Sequence, residues 1–494
     1  MNVTLLHSKQ IEMADDVLSA AILGPGGAAR AAYRQAMMAA VAMINENAVR
    51  TEIHSGVDSD AIRGFLATLD VCPEQGTGVF AALEEVGVPA VRHALDVGNP
   101  ATMAHLHCPV AVPALAAEVL ISATNQSLDS WDQSPFATLV EERVLSWLTG
   151  FTGMPDTASG SFTSGGSQSN MTALYLAAER QGLAVRGNGV IFTSEQSHFS
   201  IQKSASLLGF AKDAVVTIAT DDAGRMSVPD LQGAIVDAMA KGRPTVAIVA
   251  TAGTTDLGAI DPLSGIADLA KMHGVWLHVD AAYGGGLLFS KHRHHLRGIE
   301  HADSIALDFH KMLFQPISCG ALLLGDRSHF SPLAMKADYL NPEVSIFGDV
   351  PNYVESSIQT TRRSDALKVL MTLRSIGRDG LDALISKTLD NARAASGAVR
   401  KRDYLHLAQL PELSTVLFRY VSPQGPERSD ELTLAIRAEL FRSGIAALAT
   451  TVLGGRLHFK LTLLNPHSTP DVIDRVLDAV GEMARQLEND HVRS

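Results

Sequence analysis

Between Gly189 and Leu324 the chain alternates short apolar runs with stretches of helical periodicity, and this alternation limits the fold more than any other feature. The runs are Gly189-Val-Ile-Phe-Thr193, Val246-Ala-Ile-Val-Ala-Thr251, Val275-Trp-Leu-His-Val-Asp280, Ser304-Ile-Ala-Leu-Asp308 and Cys319-Gly-Ala-Leu-Leu-Leu324. They are short and almost uniformly apolar, which fits strands buried on both faces rather than strands with one wet face. Such strands joined by helices read as βαβ units of a mainly parallel, open sheet. A sheet of that kind gathers whatever its strands end in along one edge.

The strand ends carry chemistry. Ser304–Asp308 leads into His310 and Lys311. A lysine at the mouth of a sheet can be partly desolvated, which leaves a neutral amine able to attack an aldehyde and form a Schiff base. One strand upstream the run ends on Asp280, followed by Ala281, Ala282 and Gly284 to Gly286. A carboxylate there can cap a helix or pair with a cationic ring nitrogen, and the small residues leave room for a flat ring. Ser161-Phe-Thr-Ser-Gly-Gly-Ser-Gln-Ser-Asn170 precedes a helical run from Met171 to Arg180. Unpaired N–H groups and the helix dipole make this a phosphate site with Gly166 and Ser167 as contacts, unless the hydroxyls only cap the helix. His198, beyond the first strand, is either a loop residue or an imidazole that stacks on the ring. An amine for an aldehyde, a carboxylate for a ring nitrogen and a cradle for a phosphate together point to pyridoxal 5'-phosphate as cofactor.

The strings "AHLHCP", "NQSLDSWDQSP", "TSGGSQSN", "HVDAAYGG" and "DFHKMLFQPISCGALLL" resemble the group II pyridoxal-phosphate decarboxylases over roughly residues 95 to 470. That family includes glutamate, aromatic amino acid and 2,4-diaminobutyrate decarboxylases, and the strings look most like bacterial decarboxylases of diamino acids. The resemblance implies the pyridoxal-phosphate-dependent transferase-like fold (aspartate aminotransferase fold type I). This is α/β, with a mainly parallel seven-stranded sheet and a small C-terminal α+β domain. It also implies Lys311 as the catalytic lysine, His198 over the ring, and Gly166, Ser167, Thr251, Asp280, Ala282 and His310 as further cofactor-binding residues. Tyr339, in "ADYLNPE", matches by its distance from Lys311 the loop tyrosine that donates a proton; an ordinary loop tyrosine is the alternative. His107 corresponds to a loop on the substrate side of the cofactor, against the reading of a surface histidine satisfied by backbone. Asp308 departs from the pattern, since many relatives carry a neutral residue there. A carboxylate beside a phosphate dianion is repelled unless hydrogen-bonded or turned away, so no phosphate contact is carried over to it.

A net charge of -13 disfavours nucleic acid and anionic membrane as partners, because both select clustered Lys and Arg. The longest apolar stretch, Val110 to Ala123, is short for a membrane span and is interrupted by Glu118. The start MNVTLLHSKQIEMADD carries acids early and lacks the basic-then-apolar order of a secretory signal, so a cytoplasmic location is expected. Cys72, Cys108 and Cys319 are too few and too scattered for a disulfide framework or a cysteine-ligated zinc site, and no metal is expected. Three parts are expected: a helical dimerisation segment over 1–95, a large cofactor-binding domain over 96–390 and a small domain over 391–494. The Ala/Met-rich helix from Ala31 to Asn45 is a core stripe or a partner surface, and the resemblance favours a homodimer. Residues Ser331 to Glu355 are polar and poorly periodic, as a lid would be. "TRRSDALKVL" reads as the opening of a long helix with Arg362 and Arg363 at its start.

The implied activity is decarboxylation of an L-amino acid. The motifs favour L-2,4-diaminobutyrate, giving 1,3-diaminopropane and CO2, a diamine that relatives feed into siderophore or polyamine synthesis. Asn125, Gln133, backbone carbonyls or Asp129 are the candidate acceptors for the second ammonium. Lysine, ornithine and glutamate remain alternative substrates. A pyridoxal-dependent aminotransferase or carbon-sulfur lyase would share Asp280, Lys311 and the phosphate cradle, and a silent pyridoxal-binding protein is the non-enzyme alternative.

Overall fold

The apolar runs become strands of one sheet in the computed structural model, which describes residues 21–48, 50–335, 337, 348 and 350–493. The strands are β1 (Ser159–Thr163), β2 (Val190–Ser194), β3 (Val215–Ile218), β4 (Thr245–Thr251), β5 (Trp276–Ala281), β6 (Ser304–Asp308) and β7 (Gly320–Leu324). Their order is β1-β7-β6-β5-β4-β2-β3, and the pairs from β6 through β3 are all parallel. Only β7 runs against its neighbours β1 and β6. The expected mainly parallel seven-stranded sheet is therefore present. Strand β1, Ser-Gly-Ser-Phe-Thr, has no apolar run to announce it and is defined by its pairing with β7.

Alternate residues of these strands enter two separate cores, which explains why the runs are apolar without a break. Ile248 and Ala250 of β4 pack with Leu277, Val279 and Leu307 on one face. Ala247 and Val249 pack with Trp276, Leu322 and Leu174 on the other. Each fully buried Val, Leu or Ile contributes roughly 1.5–3 kcal/mol.

Two compact units are distinguished, Met1–Thr102 with Ala438–Ala447, and Met103–Arg437 with Leu448–Ser494. In the first, helix α1 (Gly27–Asn47) buries Ala29, Ala36 and Met43, while Met37, Met38, Val41 and Ile44 are exposed. Helix α2 (Ser59–Ala67) is capped by Asp58, whose carboxylate accepts from the Ala61 N–H.

The second unit holds the sheet, its helices α3 (Val112–Thr124), α4 (Pro135–Thr152), α5 (Gly166–Gln181) and α6 (Ser200–Leu207), and a four-stranded antiparallel sheet. That sheet has the order β10 (Ala449–Leu453), β11 (Arg456–Thr462), β9 (Thr415–Tyr420), β8 (Leu405–Leu407). The helix expected from Arg362 begins instead at Asp365, as α7 (Asp365–Arg400), and breaks at Gly377, where φ is +72°. Arg362 is drawn out of it: its carbonyl accepts from the Leu128 N–H, and its guanidinium meets Glu141 inside the protein. Among the described residues no helix is long and apolar enough to cross a membrane.

Candidate active site

Parallel pairing puts the C-terminal ends of β4, β5 and β6 side by side. Thr251 stands opposite Asp280, and Asp280 opposite Ala306. Beyond these ends lies a cavity of about 240 Å³ lined by Gly166, Ser167, His198, Thr251, Asp280, Ala282, His310 and Lys311, together with Asn170 and Asp308. Every cofactor-binding residue expected from the sequence faces this one space. His107 is not among its lining residues, nor are Asn125, Asp129 or Gln133. Burial, then the charges of His105 and His310, hold the His107 imidazole below its ordinary pKa. The neighbouring Cys108 thiol donates to the His310 carbonyl at 3.5 Å, so the 104–109 loop packs behind His310. Tyr339 and its lid neighbours, residues 338–347, lie outside the described residues.

One end of the cavity is a helix N-terminus. Helix α5 begins at Gly166 without a side-chain cap, and Gly165 adopts φ +141°, which a residue with a Cβ rarely reaches. A Cβ on Gly165 would lie 2.9 Å from the His310 ring, and one on Gly166 would lie 2.8 Å from the Cβ of Ala282. The glycines thus keep a narrow cradle open beside first-turn N–H groups, which suits an anion.

At the floor of the cavity Lys311 Nζ lies 3.0 Å from Asp308 Oδ2, with His310 Nε2 3.6 Å from the same oxygen. The His310 ring is anchored by Nδ1, 2.8 Å from the Cys319 carbonyl on the return toward β7. Asp308 is buried, and its Oδ1 has no hydrogen-bond partner; nor does Thr251 Oγ1. Buried polar atoms left open on a cavity wall are unusual. They fit a wall that a bound polar group completes.

Asp280 sits opposite. Its Oδ1 accepts from the Ala282 N–H at 3.1 Å and its Oδ2 from Asn170 Nδ2 at 2.7 Å. Asn170 also donates to Ser200 Oγ at 2.9 Å, and Ser200 Oγ lies 2.8 Å from His198 Nδ1. Burial lowers the His198 pKa, and the Lys311 charge acts in the same direction against the opposing pull of Asp280 and Asp308. The sequence reading passed over Asn170, although it stands one helical turn after Gly166 and so shares its face of α5. Among the described residues no cluster of three His, Cys, Asp or Glu side chains is arranged to hold a metal ion.

An open α/β sheet whose strand ends bring a lysine, a carboxylate and a glycine-lined helix N-terminus to one cavity fits pyridoxal 5'-phosphate, the cofactor of the family whose conserved domain this sequence matches. The pyridoxal-dependent decarboxylase conserved domain matches residues 67–421, and the chain belongs to that family of carboxy-lyases. It is 64% identical over 487 residues to the L-2,4-diaminobutyrate decarboxylase of Rhizobium meliloti (strain 1021), covering 98% of this chain and 97% of that one. The L-2,4-diaminobutyrate decarboxylase of Acinetobacter baumannii is 36% identical over 92% of this chain and 94% of its own. Among solved structures, one from Vibrio parahaemolyticus superposes with a TM-score of 0.87 at 35% identity. It is described as the glutamate decarboxylase domain of diaminobutyrate-pyruvate transaminase and L-2,4-diaminobutyrate decarboxylase, and the match covers 96% of this chain and 99% of that one.

Proposed function

We propose that this chain decarboxylates L-2,4-diaminobutyrate to 1,3-diaminopropane and CO2. The observation that carries the reading is the near-full-length identity to a diaminobutyrate decarboxylase. In this reading Lys311 would hold the cofactor, Gly166, Ser167 and His310 would bind its phosphate end, and Asp280 would pair with its ring nitrogen. His198, Thr251 and Ala282 flank the ring. The bound group supplies an electron sink for the pair left on Cα when CO2 departs. Asp280, held by Asn170 and the Ala282 N–H, would be the carboxylate that keeps a ring nitrogen protonated. Each turnover also takes up one proton at Cα, which Tyr339 Oη supplies, with His107 on the substrate side. The net chemistry leaves an amine and needs no keto-acid partner, which separates it from an aminotransferase.

The same reading makes the protein a cytoplasmic homodimer whose diamine product enters siderophore or polyamine synthesis. Residues 1–95 serve dimerisation, 96–390 bind the cofactor, and 391–494 form the small domain. The exposed Met37, Met38, Val41 and Ile44 on α1 support a subunit-facing role for the first segment. Deleting residues 1–90 should abolish the dimer; a soluble, active monomer would contradict that role.

Comparing kcat/KM for diaminobutyrate, ornithine, lysine and glutamate tests the substrate directly, since the ratio reports transition-state discrimination. Diaminobutyrate should lead by at least roughly tenfold. A preference for glutamate would overturn the diamino reading. A preference for ornithine or lysine would keep the chemistry and change the chain length.

A further inference from the structure

Behind the cavity a line of buried hydrogen bonds runs from Trp276 to His198, and its direction is fixed by two groups that cannot reverse their roles, the Asp280 carboxylate and the Ser200 backbone N–H. Trp276 Nε1 lies 2.8 Å from Ser304 Oγ, and an indole N–H can only donate. Ser304 Oγ can then either donate to His278 Nδ1, 2.8 Å away, or accept from it, so the sense of this bond is set from the other side of the His278 ring. His278 Nε2 is 2.9 Å from Asn170 Oδ1, so the His278 proton sits on Nε2 and donates there. The Asn170 amide is held in this sense from its other side as well, because the carboxylate oxygen of Asp280, 2.7 Å from Nδ2, can only accept. The second Nδ2 hydrogen goes to Ser200 Oγ, which lies 2.8 Å from His198 Nδ1 and by itself could donate to it or accept from it. The Ser200 backbone N–H settles the sense of that bond, because it can only donate, and it donates to His198 Nδ1 at 3.3 Å, which requires a bare Nδ1.

We propose that Trp276, Ser304, His278, Asn170 and Ser200 form a one-way relay of positioning residues. It holds the Asp280 carboxylate in place and fixes His198 as the tautomer with a bare Nδ1 and its proton on Nε2. The inference rests on the cofactor reading above only for its consequence, because the bonds themselves lie within the chain. His198 therefore offers an N–H at Nε2 and cannot accept a hydrogen bond there while neutral. Burial favours the neutral form of both histidines, lowering the pKa of each. Trp276, Ser304, His278, Asn170 and Ser200 are all almost wholly buried, so water does not compete for these bonds.

Histidine-selective 15N labelling of the full-length holoenzyme tests the relay, with the His198 signals assigned by their loss in His198→Asn. An unprotonated Nδ1 and a protonated Nε2 are expected; a protonated Nδ1 would overturn the proposal. A second measurement concerns positioning. His278→Phe removes the donor to Asn170 and should shift the cofactor's absorbance and weaken its retention by roughly tenfold, while His278→Gln, which keeps an N–H donor, should restore most of both. Unchanged absorbance and retention in folded His278→Phe would also sink the relay. Wild-type protein that takes up no pyridoxal phosphate would overturn the functional reading instead, and the His198 tautomer would still be measured in the same sample.

Discussion

The polar groups around the cavity and those beneath the segment that follows Lys311 are comparably buried, yet they are satisfied differently. Glu141 and Arg362 meet through two short bonds, at 2.7 and 2.8 Å, and Glu141 also accepts from the Phe162 N–H. Lys368, fully buried, reaches Glu118, Asp365 and the carbonyls of Pro316 and Ser318, tying α7 to α3 and to the chain beyond Lys311. Unpartnered atoms occur in both regions, Arg362 Nε and Ser364 Oγ in the scaffold and Asp308 Oδ1 and Thr251 Oγ1 at the cavity, but Asp308 and Thr251 line a space that a ligand can enter. The scaffold charges are matched by opposite charges from distant elements, Arg362 by Glu141 and Lys368 by Glu118, and hold those elements together. The cavity groups direct their unused bonding capacity into a space that can be filled, as a binding site must.

If that contrast is right, substitutions in the two regions should fail in opposite ways. The largest effect is expected from Lys311→Ala, which removes the amine from the cavity. Amine formation should fall to background in protein that still folds, and borohydride should no longer attach cofactor to the chain. A reducible link that survives in this variant would remove Lys311 from its proposed role.

Glu141→Ala should act on the other side of the comparison. It leaves the Arg362 charge buried without its partner, at a cost of about 3–5 kcal/mol. Urea denaturation should show the loss, while kcat of whatever remains folded stays close to wild type. A stable but inactive Glu141→Ala protein would erase the distinction between the two regions.

Gly166→Ala tests the cradle more finely. The added Cβ must displace Ala282 or shift the start of α5. Cofactor retention should weaken by roughly tenfold, with little change in urea midpoint of the cofactor-free form. Equilibrium dialysis against pyridoxal phosphate measures it.

The smallest effect concerns pH. Burial depresses the His278 pKa below its ordinary 6.5, so between the two values the unfolded chain binds more protons than the native one. The stability His278 contributes is complete above pH 6.5 and is lost as pH falls. Asp261, which accepts from the Thr251 and Met226 N–H groups, is pushed by burial from 3.8 up to about 6. There the native state binds more protons, and stability is lost as pH rises through that window. Urea midpoints from pH 4 to 7 at saturating cofactor should therefore show opposing slopes. His278→Gln should leave stability falling with rising pH, and Asp261→Asn should leave it rising. Parallel curves in the two variants would contradict these assignments.

Much of the fold was legible because its signals are local. An apolar run of five or six residues shows its own burial, and a glycine pair before a helix, or a carboxylate and a lysine after strands, can be read within one short segment. What failed was what depends on a distant partner. Arg362 looked like the first turn of a helix, but its place is set by Glu141, 221 positions away. Strand β1 carries no pattern of its own and exists because β7 offers it a ladder.

The sequence alone thus determined the parallel sheet, the chemistry at its strand ends and the cofactor that such ends suit, since each follows from short-range patterning. Only the tertiary structure decided that Asn170 would reach Asp280 across 110 positions and His278 across 108. It also decided that Asp308 would turn toward Lys311 with one oxygen left unpartnered. The physical reason is that a side-chain hydrogen bond extends over only about 3 Å. Which groups come within that distance is chosen by how the helices pack on the sheet, and nothing in the spacing along the chain records it.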